Sequence, residues 1–134
     1  MKQKKVIYIA GPTTGEPNYK EAFTQAEADL VALGCNVLNP AVLPEGMTKA
    51  QYMRICFSML DCADAIVLLP GWGVSDGASL EKEYARYTEI PRVTYRVKSP
   101  LGNHVMDDTE RRAWLYCGLT DAFSWAPKQK GVLY

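Results

Sequence analysis

At 134 residues the chain is the length of one domain, and its 48% hydrophobic and 22% charged composition is that of an ordinary water-soluble globular protein. Its 15 basic residues balance 15 acidic ones, so there is no electrostatic footprint for a nucleic-acid polymer or an anionic membrane, and a small-molecule ligand is expected instead. Cys35, Cys56, Cys62 and Cys117 form no C-x-x-C pair and His104 is the single histidine, which argues against a metal centre and for reduced thiols packed as small hydrophobes in the cytoplasm.

The basic lead Met1-Lys-Gln-Lys-Lys precedes an apolar run too short for a signal peptide or membrane span. That run, "KVIYIA" (Lys5 to Ala10), is β-branched and aromatic and reads as a first strand stopped by Gly11-Pro12. Asn18, with Glu21 three residues on, predicts a capping box. Tyr19, Ala22, Phe23, Ala26, Leu30 and Leu33 continue at helical spacing to Gly34. "CNVLNP" (Cys35 to Pro40) is a short second strand. Thr48 with Gln51 predicts another capping box, ahead of the stripe Tyr52, Met53, Cys56, Met59, Leu60 and Ala63.

Asp64 leads into "AIVLLP", Ala65 to Pro70, a continuous apolar run suited to a central strand buried on both faces. A turn from Gly71 to Gly77 feeds a third helix, placed at about Ala78 to Glu89, and "RVTYRV" (Arg92 to Val97) is a fourth strand. Alternating strands and helices indicate a doubly wound, flavodoxin- or Rossmann-like α/β fold. Its parallel sheet would have four to five strands and helices on both faces. The pattern weakens from Lys98. Asp107 to Leu119 reads as a helix whose first charges, "DDTERR", are solvated, and His104 reads as a surface residue. "DAFSWAPKQKGVLY" reads as a final strand and tail or as a segment packing on a partner subunit. Residues 1–134 are taken as a single domain, with 98–134 the subunit-contacting candidate.

In open parallel sheets ligands bind beyond the carboxyl ends of the strands, where backbone amides and helix N-termini converge. Three loops fall there: Gly11 to Gly15, Asn39-Pro40, and Gly71 to Ser79. No Walker A and no G-x-G-x-x-G is present, which removes the main sequence support for triphosphate hydrolysis and dinucleotide redox chemistry. On the third helix, Glu81 shares a face with Ala78 and Ala85, whereas Glu83 lies with Ser79, Arg86 and Tyr87. Small neighbours turn Glu81 inward, where a carboxylate is costly unless it has partners or a task. The alternative is a first-turn acid favoured by the helix dipole.

"YIAGPTTGEPNYKEAF", the "NP" after the second strand and "ADAIVLLPGWGVSDGASLEKEYA" together resemble the nucleoside 2-deoxyribosyltransferase-like superfamily, in particular a subgroup common in phages and prophages. The motifs cover about the first 90 residues, in the order and at the separations of that superfamily. It implies a homodimer or larger homo-oligomer that cleaves or transfers the N-glycosidic bond of a nucleoside or nucleoside 5′-monophosphate, with no cofactor and no metal. It also implies that Glu81, four residues beyond Gly77, is the nucleophile, and that Tyr8 hydrogen-bonds and steers it. Gly11, Pro12, Thr13, Thr14, Asn39, Trp72, Ser75 and Gly77 are the implied substrate-binding positions, with Trp72 offered to the base. Two positions depart from the pattern. Cys56 stands where the superfamily has an aspartate, and Thr14 where its monophosphate hydrolases have an arginine. The other reading of the same residues is a nucleotide-binding or sensor module without catalysis.

Overall fold

Four short apolar runs pair side by side and in parallel: β1 (Val6–Ala10), β2 (Asn36–Leu38), β3 (Ala65–Leu68) and β4 (Arg92–Thr94). The coordinates are a computed structural model, and the structure describes residues 3–124. The strand order is β2-β1-β3-β4. Helices α1 (Tyr19–Ala32), α2 (Lys49–Asp61) and α3 (Asp76–Tyr87) are the crossovers, and α4 (Asp108–Ser124) follows β4. This is the doubly wound α/β arrangement expected from the alternation of elements. No helix among the described residues is long and apolar enough to cross a membrane.

The period-2 alternation of the strands builds two cores. Ile7, Ile9, Ala65, Val67, Leu69, Val93 and Tyr95 face α1 and α4, where they meet Phe23, Ala26, Leu30, Leu115 and Leu119. Tyr8, Ala10, Ile66 and Leu68 face α2 and α3, where they meet Cys56, Leu60, Ala78 and Ala85. Connections leave β1 toward β2 and return past it to β3. The switch of winding direction therefore lies between the carboxyl ends of β1 and β3, which is where such sheets open a crevice. The two strands approach closely there. A Cβ on Gly11 would sit 2.8 Å from the Leu69 Cβ, a gap only glycine leaves open.

Several boundaries differ from the sequence reading. Asn18 makes no side-chain cap bond, because its backbone is not in the extended conformation that aims a cap side chain at the first turn. At Thr48 the reciprocal capping box with Gln51 is complete. Helix α3 begins at Asp76 and ends at Tyr87 rather than spanning Ala78 to Glu89, since Ser75 takes the cap position and accepts from Ala78 N. Glu89, at φ +64°, lies outside it. Helix α4 extends to Ser124, so Asp121 to Ser124 are helical rather than part of a strand or tail. The remainder of that expected tail lies outside the described residues. Asp64 ties the β3 entrance to β1, accepting from Val6 N at 2.8 Å while its own N–H donates to Val6 O.

Candidate active site

Tyr8 is central in β1 and points into the α2/α3 core, where it is fully buried. Glu81 is in the second turn of α3, one turn beyond the acid that complements the dipole, which is Asp76. The macrodipole therefore does not explain Glu81. Its side chain is 5% exposed, and the Tyr8 hydroxyl donates to its Oε2 at 2.5 Å. Burial raises the Glu81 pKa from 4.5 to about 7, against lowering by hydrogen bonds from Tyr8 and Cys56. Burial, with Glu81 and Cys56 adding to it, pushes the Tyr8 phenol far above its ordinary value, so it is a hydrogen-bond donor and not a base. Among the described residues no cation pairs with Glu81. A carboxylic acid poised near neutrality in a largely apolar setting is a common arrangement for a nucleophile or acid–base group.

Cys56 completes the cluster. It lies on the inward face of α2, buried among Tyr8, Leu60 and Ala78. Burial raises its thiol pKa. It meets the Glu81 carboxylate as a neutral donor. The sequence read Cys56 as a member of an apolar stripe and as a departure from the resembled pattern; its contact with Tyr8 and Ala78 joins α2 to other elements.

The other expected site residues fall into three groups. Gly11, Pro12 and Gly77 are half-buried at the carboxyl edge of the sheet, while Thr13 and Thr14 are exposed in the loop after β1. Ser75 is half-buried, and its oxygen accepts from Ala78 N at 3.2 Å. Trp72 is half-buried beside the α2/α3 core, with the Lys82 ammonium 5.8 Å from its ring centroid. Asn39 is set apart from the cluster. Both ends of its amide are engaged, Oδ1 accepting from Ala41 N at 2.9 Å and Nδ2 donating to Glu27 on α1 at 3.0 Å, so it braces the end of β2. Glu83 is exposed and paired with Arg86 at 3.1 Å. His104 is exposed as well, 2.7 Å from Glu110. No group of three or more His, Cys, Asp or Glu side chains among the described residues could hold a metal ion.

The opposite face holds a polar cluster that the sequence reading missed. Asp29 on α1 is fully buried and accepts from Arg111 Nε at 2.9 Å, Arg112 Nε at 2.9 Å and the Tyr95 hydroxyl at 2.7 Å. Burial works to raise its pKa, but the hydrogen bonds from Arg111, Tyr95 and Arg112 outweigh it and hold the carboxyl below its ordinary value. Arg111 also pairs with Asp108. The expectation of a fully solvated "DDTERR" is therefore corrected: Arg111 is 7% exposed and belongs to the buried side of α4 with Leu115 and Leu119. The signal was there to find. Arg111 falls four before Leu115, on the helical stripe, as Asp29 falls three after Ala26. Above this cluster a cleft of about 260 Å³ opens between the start of α1 and the carboxyl ends of β3 and β4, bordered by Tyr19, Tyr95, Pro12 and Pro70.

No curated protein matches the chain. A family model described as a domain of unknown function, DUF4406, matches residues 5–95, which take in the whole sheet, both members of the Tyr8–Glu81 pair and Cys56. With that model covering more than half of its length, the chain belongs to the DUF4406 domain family.

Proposed function

We propose that the protein cleaves or transfers the N-glycosidic bond of a nucleoside or nucleoside 5′-monophosphate, with Glu81 as nucleophile. The observation that carries this reading is a buried carboxylate that no cation pairs with among the described residues, held at 2.5 Å by the hydroxyl of Tyr8. Glu81 in its ionised form bonds to the anomeric carbon as the carbon–nitrogen bond breaks. The bonding pair leaves with the base, which takes a proton from water. The carboxylate stabilises the oxocarbenium-like transition state, and attack by water or a second base on the glycosyl ester restores it. Tyr8 fixes one oxygen and leaves the other to react. Gly11, Gly77, Thr13, Thr14 and Ser75 supply amides and hydroxyls for the sugar and its 5′ group, as the resemblance to the nucleoside 2-deoxyribosyltransferase-like superfamily implies. Such enzymes act as homo-oligomers, and the same state is proposed here, in the cytoplasm.

One observation favours a second reading. Cys56 presents a thiol, with a pKa raised by burial, where a second acid would protonate the leaving base; a site so built binds nucleotides without turning them over. The two readings separate in one experiment. Deoxynucleosides, ribonucleosides and their monophosphates are incubated with the protein, and free base is measured by chromatography. Base release that disappears in Glu81→Ala supports the enzyme. Saturable binding without release, with or without an acceptor base, supports the binding module. Release that persists in Glu81→Ala refutes the mechanism.

A further inference from the structure

The cleft on the α1/α4 face is separated from Glu81 by the sheet itself. Its borders Tyr95 and Leu69 belong to one core, and Tyr8 and Cys56 to the other. At about 260 Å³ it lies just below the size of pockets that hold drug-sized ligands, roughly 300–1,000 Å³, and so suits a single small ring system. Half-buried Tyr19 offers aromatic surface, Pro12 and Pro70 offer flat apolar rings, and Tyr95, 2% exposed, closes the floor. The polar lining is amide-rich. Gln25, exposed on α1, brings an amide with both a donor and an acceptor, 3.4 Å from the Tyr95 hydroxyl whose proton goes to Asp29. Asn18, whose side chain does not cap α1, brings both a donor and an acceptor.

Charge narrows the class further. Among the described residues no lysine, arginine or histidine lines the cleft, and Glu16 does. A phosphate or carboxylate ligand would meet no counter-charge there. The floor is also held rigidly. The Tyr95 hydroxyl is bound to fully buried Asp29, itself clamped by Arg111 and Arg112. Buried ionic clusters of this kind rarely add stability over apolar packing, but they fix geometry.

We propose that this cleft is a second small-molecule site, selective for an uncharged planar heterocycle that carries hydrogen-bond donors and acceptors along one edge, the chemistry of a free nucleobase. The ring stacks against Tyr19, and its edge meets the Gln25 and Asn18 amides. The site stands whether or not Glu81 is catalytic, because Pro12 alone of the cleft's lining is also an implied position of the Glu81 site.

The test is titration of ¹⁵N-labelled protein with free adenine and with free cytosine, read by amide chemical shifts. Saturable shifts at Tyr19, Ala22, Gln25 and Tyr95 are expected, and they persist in Glu81→Gln. Ala22 is exposed on α1 and lines the cleft, so Ala22→Trp fills the slot from outside the core and should weaken binding by about tenfold or more. Ala22→Leu serves as the milder occluding variant should the tryptophan disturb the fold. Gln25→Ala should reduce affinity while leaving the unliganded spectrum near that of the parent. Absence of saturable shifts with both bases overturns the proposal. So do shifts confined to Ala78–Ala85 of α3, or shifts that survive occlusion.

Discussion

The Tyr8 hydroxyl donates to Glu81 Oε2 across 2.5 Å, joining the middle of the sheet to α3 between residues 73 apart in sequence. The bond favours the ionised carboxylate, while burial disfavours it more strongly. A nucleophilic Glu81 must be ionised, so kcat/KM for base release should rise with pH through about 7. Tyr8→Phe removes the donor and keeps the ring. A hydrogen bond to a charged group contributes about 1.5–3 kcal/mol, so the rising limb should move up by about one to two pH units. A pH–rate profile of the two proteins checks this; an unmoved limb would separate Tyr8 from the ionisation of Glu81.

Stability should carry the same signature with a definite sign. The native carboxyl keeps its proton to about pH 7, whereas the unfolded chain releases it near 4.5. Between those values the native state binds more protons, so stability falls as pH rises. The accumulated loss above pH 7 is on the order of 3 kcal/mol. Glu81→Gln cannot ionise and should show no such decline. Urea midpoints from pH 5 to 8 for both proteins test this. Parallel curves would refute the raised pKa.

Asp29 makes the opposite prediction. Its carboxyl is held below the ordinary value, so its contribution is present above that value and is lost as pH falls through the folded one. Asp29→Ala leaves the buried Arg111 with exposed Asp108 as its remaining ionic partner, and removing one member of a buried pair costs about 3–5 kcal/mol. Denaturant unfolding at pH 7 measures the loss, and Asp29→Asn should retain part of the hydrogen bonding. Replacing exposed Glu83, paired only at the surface, should change stability by less than about 1 kcal/mol.

Gly11→Ala should destabilise the protein by about 1–3 kcal/mol, because the new Cβ meets Leu69 Cβ at 2.8 Å, where two strands already pack. Gly73→Ala is the matched control. Nothing lies within 4 Å of its added Cβ, and its effect should stay within about 0.5 kcal/mol. Thermal unfolding of the two variants side by side separates close packing from a general intolerance of the loops.

Local pattern was enough for the architecture. The β-branched runs at β1 and β3, the stripes of α1 and α2 and the Thr48–Gln51 box each concern neighbours within a few residues, and each element is present in the structure. The ends of α3 and α4 were less legible. A serine cap and a final helical turn depend on backbone angles that several residues accept equally well. Glu81 stood out from Glu83 by its small neighbours, and burial follows that distinction. Asn39 did not stand out: nothing local distinguishes an amide that binds a ligand from one that braces α1.

Side-chain period and turn chemistry are local properties, and they were enough to place a parallel α/β sheet with an acid on the inward face of its third helix. The burial of Tyr8, Cys56 and Glu81 together, and the clamp that Arg111, read along the chain as solvated charge, closes on Asp29 beneath a cleft, came from the folded arrangement alone. Those relations join residues brought together by strand order and helix crossing. The pKa of a carboxyl, like the use of an arginine, is set by the water it loses and the partners it gains there.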